Sequence, residues 1–141
     1  MTVNQISIFL ENKYGTMSKI LELLAEENIR IIAATVADTS EFGIMRMIVS
    51  DAQKAYQILK ANNVSANLTD VLAISLDSKA GCFAKTLKHF TNAGLNIDYM
   101  YCFSANGKAI LILRTNNREQ AREVIRRQDL DYICESDLIH L

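Results

Sequence analysis

A chain of 141 residues, half of them hydrophobic, has material for one ordinary domain or two small ones, and burying roughly 68–70% of its unfolded surface is within reach. Fifteen basic and sixteen acidic residues leave a net charge of −1, so no global field draws nucleic acid or an anionic membrane. Residues 1–70 sum to −2 and residues 71–141 to +1, an asymmetry too small to assign a partner. Cys82, Cys102 and Cys134 are odd in number and far apart, with no C-x-x-C, which supports neither a disulfide framework nor a zinc site. They are expected to be reduced and mostly buried. The start lacks a basic region followed by an apolar run, and nowhere do 18 apolar residues follow one another, so the expectation is a soluble cytoplasmic protein.

Ile6, Ile8 and Leu10 alternate with Ser7 and Phe9 as in a strand, which Glu11-Asn12-Lys13 and Gly15 end. From Thr16 to about Glu27, Met17, Ile20, Leu21, Leu24 and Ala25 fall on one helical face, with Thr16 or Ser18 as the expected cap. Ile29 to about Thr39 is rich in β-branched residues; Ser40-Glu41-Phe42-Gly43 reads as a turn and Ile44–Val49 as the returning strand. A helix with Ala52, Ala55, Tyr56 and Leu59 inward ends near Asn62-Asn63, and Val64–Thr69 supplies a last short strand. The second half repeats the series. Leu72–Leu76 reads as strand, Cys82–Ala93 as helix with Phe83, Leu87 and Phe90 inward, and Leu95–Ser104 with Lys108–Arg114 as hairpin. The hairpin turn Ala105-Asn106-Gly107 reads as two residues shorter than its counterpart. Arg118–Gln128 is helical, and Tyr132 to about Leu138 closes the unit as a strand.

The halves are copies 66 residues apart: Ile8/Ile74, Leu10/Leu76, Lys13/Lys79, Gly15/Gly81, Lys19/Lys85, Leu21/Leu87, Ile31/Ile97 and Ala55/Ala121 are identical. That period is too long for solenoid repeats, so each copy reads as a small domain, residues 1–70 and 71–141. The βαββαβ order implies an α+β fold of two ferredoxin-like units, each a four-stranded antiparallel sheet with two helices on one face. With no Pro/Gly/Ser-rich linker between them, the two are expected to pack as an intramolecular pseudo-dimer.

A first strand, a polar stretch ending in glycine at the first helix, and a Gly-x-Asn-Ile start to strand two together resemble the ACT domain, a regulatory amino-acid-binding module of metabolic enzymes. Gly94-Leu95-Asn96-Ile97 and Gly81 of the second copy match the pattern, as do Asn12 and Gly15 of the first. The first copy has Asn28 and Arg30 where the family commonly has Gly and Asn, and Tyr14 and Ala80 stand where a proline often precedes the loop glycine. The resemblance covers the whole chain and implies a tandem pair without a catalytic domain. It also implies ligand between units, the loop of one facing strand two of the other. Asn12, Lys13, Tyr14, Gly15, Thr16 and Met17 would face Asn96 and Ile97 in one good site. Ser78, Lys79, Ala80, Gly81, Cys82 and Phe83 with Arg30 and Ile31 would form a more degenerate one.

The residues suit that chemistry. Glycine lets backbone approach a ligand, free N–H groups at a helix start favour a carboxylate, and asparagine both donates and accepts. The implied function is a non-enzymatic sensor of a free amino acid, acting on a metabolic enzyme in trans or through a homo-oligomer such as a dimer, with no cofactor, metal, nucleic acid or membrane. A structural dimerisation module with decayed pockets is the alternative, and an acylphosphatase-like enzyme is weaker because its first-loop arginine is missing.

Other patterns read as packing. Tyr99, Tyr101 and Phe103 alternate on one strand, as base-stacking aromatics would, but the third strand is aliphatic and lacks the RNA-recognition motif. Arg114, Arg118, Arg122 and Arg126 recur every fourth residue with Glu119 and Glu123 interleaved, the pattern of a salt-bridged solvated face. His89 and His140 have no catalytic company.

Overall fold

The computed structural model describes residues 2–11, 13–38 and 41–141. They divide into two compact units, Asn4–Thr69 and Asp70–Leu141, with Thr2 and Val3 grouping with the latter. In the first, β1 (Val3–Glu11), α1 (Thr16–Glu26), β2 (Ile31–Asp38), β3 (Phe42–Val49), α2 (Ala52–Ala61) and the start of β4 (Ala66–Leu76) follow one another. The strand order is β2-β3-β1-β4, with β1/β3 and β2/β3 antiparallel. Period-two alternation turns Ile6, Ile8 and Leu10 of β1 and Met45, Met47 and Val49 of β3 inward, where they meet Ile20 and Leu24 of α1 and Ala52, Ala55 and Leu59 of α2.

The second unit takes the rest of β4, then α3 (Cys82–Asn92), β5 (Ile97–Ala105), β6 (Lys108–Thr115), α4 (Arg118–Arg127) and a one-turn α5 (Glu135–Leu138). Its strands lie in the order β4-β6-β5, all antiparallel. Leu72, Ile74, Leu111 and Leu113 meet Phe90 of α3 and Ala121, Val124 and Ile125 of α4 in a core of their own.

The copies keep their 66-residue spacing through every shared element. Ile31 and Ile97 open β2 and β5, each with a bulge before its third residue, and Phe42 and Lys108 open β3 and β6. The second hairpin turn is therefore not shorter than the first. Asp51 and Asn117 cap α2 and α4 in the same way, accepting from the backbone N–H of Lys54 and of Gln120 at 3.1 Å each. Asp51→Ala and Asn117→Ala are each expected to lose about 1 kcal/mol in chemical denaturation, the ordinary worth of an N-cap.

Several elements differ from the sequence expectation. Val64–Thr69 and Leu72–Leu76 are not two strands: β4 runs unbroken from Ala66 to Leu76, and Asp70, which looked like punctuation, is ion-paired by Arg118 at the start of α4. Tyr132–Leu138 is not a strand. Tyr132 makes one antiparallel bridge to Ile74, flanked by hydrogen bonds from Ser75 N–H to Asp131 O and from Ile133 N–H to Ala73 O. The chain then turns into α5, whose first residues, Glu135, Ser136 and Asp137, suit the start of a helix better than a strand. Phe42 and Gly43 belong to β3 rather than a turn, Gly43 pairing with both Leu10 and Asp38; Thr39 and Ser40 lie outside the described residues.

Neither Thr16 nor Ser18 caps α1. The chain enters from a left-handed Gly15 with φ of 83°, and no side chain completes the cap. Met17 and Ala25 of the expected inward stripe are exposed. The cysteines are free but not buried: Cys102 is exposed on β5, the last strand in its sheet order, and Cys82 and Cys134 are half-buried.

The arginine stripe is salt-bridged as its charge pattern implies: Arg122 with Glu119, Arg126 and Arg127 with Glu123, and Arg118 with Asp70. Tyr99, Tyr101 and Phe103 are half-buried. No helix among the described residues is long and apolar enough to cross a membrane.

Candidate functional site

Gly15 and Gly81 hold equivalent positions at the head of α1 and α3, in the left-handed region with φ of 83° and 89°. That conformation is cheap only for glycine. Neither helix has a side-chain cap, so the first N–H groups of both point into the loop, as an anion site requires.

In the first copy Lys13 is exposed and ion-paired with Glu11 at 2.7 Å. The hydrogen bond and charge of Lys13 hold the Glu11 carboxyl below its ordinary value, and Glu11 raises Lys13 in return. Tyr14 is wholly exposed and Met17 41% exposed, while Thr16 is half-buried. Lys13, Thr16 and Met17 line a small cavity of about 160 Å³ together with Leu10, Val36 and Asp38. Asn12 lies outside the described residues.

In the second copy Ser78, Lys79, Ala80 and Gly81 are exposed and Cys82 and Phe83 half-buried. Here the first-strand carboxylate is Asp77, and it pairs not with a loop lysine but with Lys108 from the start of β6. That hydrogen bond and charge lower the pKa of Asp77, with Lys79 adding to the effect, and raise that of Lys108.

Asn96 precedes β5, with Ile97 half-buried at its bulge. Its backbone is clasped by Asn116, which accepts from Asn96 N–H with its side chain at 3.1 Å and donates its own N–H to Asn96 O at 3.2 Å. The Asn96 side chain is left at the surface, its amide reaching Asp98 Oδ1 at 3.4 Å. Arg30 is the equivalent in the first copy, exposed before Ile31 and clasped in the same way by Ser50. Loop and strand-two residues are thus brought together within neither copy, and each segment belongs to its own unit.

Sequence reading missed a groove that both copies carry. In the first it holds about 500 Å³ between the end of β1, the buried side of α1 and the chain after α2; in the second, about 320 Å³ at the matching place. Each of the twelve residues of the first wall has its 66-residue counterpart in the second. The walls differ in chemistry. Ile20, Leu23, Phe9 and Phe42 of the first are Thr86, His89, Ser75 and Lys108 of the second. Those polar replacements at otherwise apolar repeat positions were the available signal.

The family model for the ACT domain pair matches residues 1–141. The chain belongs to that family. The ACT pair is similar over its full length to a protein of Bacteroides thetaiotaomicron of known crystal structure, with 42% identity and a TM-score of 0.95, covering 98% of that chain. It also shares its fold with the ligand-free regulatory subunit of aspartate kinase from Thermus thermophilus, at 20% identity and a TM-score of 0.65 over 87% of this chain and 88% of that one. The regulatory subunit of aspartate kinase from Thermus flavus is similar at 21% identity and a TM-score of 0.61 over 88% and 90%. No curated protein matches the ACT pair.

Proposed function

We propose that this ACT pair is a non-catalytic sensor of a free amino acid. The ligand engages the Asn12–Met17 loop and Asn96–Ile97 together, with Ser78–Phe83 and Arg30–Ile31 as a weaker counterpart. The supporting observation is that the ACT-pair match takes up all 141 residues, each copy retaining an uncapped helix start behind a left-handed glycine. The carboxylate suits the free N–H groups of α1, and the Asn96 amide can read the ligand's ammonium or carboxylate. The same fold serves as a regulatory subunit in the two Thermus proteins, which supports a regulatory role here. Occupancy is passed to a metabolic enzyme in trans or to the chain's own dimerisation, by no more than the ligand's differential affinity for the two states.

A thermal-shift screen against the standard amino acids tests this. A ligand at about 100 times its Kd adds about 2.7 kcal/mol and raises Tm by several degrees. Asn96→Ala is expected to abolish the shift while leaving the unliganded Tm nearly unchanged, because that side chain bonds only Asp98 at the surface. Silence from every amino acid at millimolar concentration would instead favour a structural dimerisation module, a reading with which Arg30 and Tyr14 agree.

A further inference from the structure

The groove of the second copy departs from that of the first in a direction that packing does not ask for. Thr86 sits where Ile20 sits in the first copy and is just as buried, at 5% exposed. A buried hydroxyl in place of an aliphatic group gives up apolar burial, and it recovers nothing unless the hydroxyl is hydrogen-bonded. Thr86 has no side-chain partner among the described residues, and it lines the groove. Around it the wall carries separated charges. Lys85 of α3 and Asp129, in the turn after α4, have no side-chain hydrogen bond or ion pair among the described residues, whereas Lys108 is held by Asp77. Asp131 adds a second carboxylate beside Asp129. No group of three or more His, Cys, Asp or Glu among the described residues is placed to hold a metal ion, so the carboxylates are not gathered round a cation.

We propose that this groove is a second binding site, present in the second copy alone, for a small zwitterion bearing one carboxylate and one ammonium. Lys85 takes the carboxylate, Asp129 and Asp131 take the ammonium, and the Thr86 hydroxyl supplies the hydrogen bond at the floor. A volume of about 320 Å³ suits a molecule of that size. The site shares no residue with Asn96–Ile97 or with Lys13–Met17, and it does not depend on the function proposed above.

The test is an amide NMR titration of the full ¹⁵N-labelled chain with L-serine to about 10 mM, repeated with acetate and with methylammonium as its two halves. Saturable shifts are expected at Lys85, Thr86, Leu130 and Asp131 with L-serine, and much weaker binding of either half. Thr86→Ile, which installs the first copy's residue, is expected to weaken the affinity at least about tenfold, as is the surface variant Lys85→Ala. Shifts confined to residues 13–17 or 96–97, or binding that survives both variants, would overturn the groove site and leave the proposed sensor standing. Binding lost in Thr86→Ile and Lys85→Ala but kept in Asn96→Ala supports the groove and counts against Asn96 as the reader of that ligand. No saturable shift anywhere, or equal affinity for acetate alone, also overturns it.

Discussion

Phe90→Ala is expected to destabilise the second unit by about 3–5 kcal/mol, the range for deleting a buried aromatic ring and leaving its cavity. Phe90 is fully buried, in one core with Leu72, Ile74, Leu111 and Leu113, and lies near the end of α3, where the helix must hold to the sheet. For a two-unit chain with a total stability of ordinary size, a loss on that scale is most of what one unit has. Urea unfolding followed by far-UV circular dichroism should therefore split into two transitions, the earlier belonging to the second unit. A single transition displaced by less than 1 kcal/mol would show that the ring is not where the core draws its cohesion.

Leu24→Ala is the matching experiment in the first unit, with an expected loss of about 2–5 kcal/mol. Leu24 is the 66-residue counterpart of Phe90, also fully buried, and packs among Ile6, Ile8, Met45 and Leu59. The two cores have no residue in common, so the two losses should add within about 0.5 kcal/mol in the double variant. A coupling well above that would mean the cores are not energetically separate.

The fold was legible because the signals that carry it are periodic. Alternation in β1 and β3 and the i, i+3, i+4 spacing of Ala52, Ala55 and Leu59 depend only on each element's own geometry, and the second copy restated them. Where the sequence misled, a polar residue was taken as a stop. Thr69 and Asp70 interrupt the apolar run but stay in β4, because a strand tolerates polar side chains wherever a partner such as Arg118 is supplied from elsewhere. At the chain's far end the opposite occurred: Tyr132, Ile133 and Ile139 suggested a strand, while the acidic turn between them favoured a helix.

The candidate site was half legible. Gly15 and Gly81 announce themselves because a left-handed helix entry is a local requirement. Asn96 was found by pattern, but that its backbone is clasped by Asn116 and its side chain left at the surface depends on a contact 20 residues away. The groove was invisible, since its wall is drawn from α1 or α3, two strands and the chain after α2 or α4, with no run of sequence to mark it.

The one-for-one match of the two groove walls gives each wall residue a reference inside the same molecule. A chemical library or a set of exchanged side chains can be scored on both grooves in one sample, at equal concentration and under identical solvent. Specificity then emerges as a ratio between twin positions rather than a comparison between two preparations. The duplication that built the protein has also left it with an internal standard.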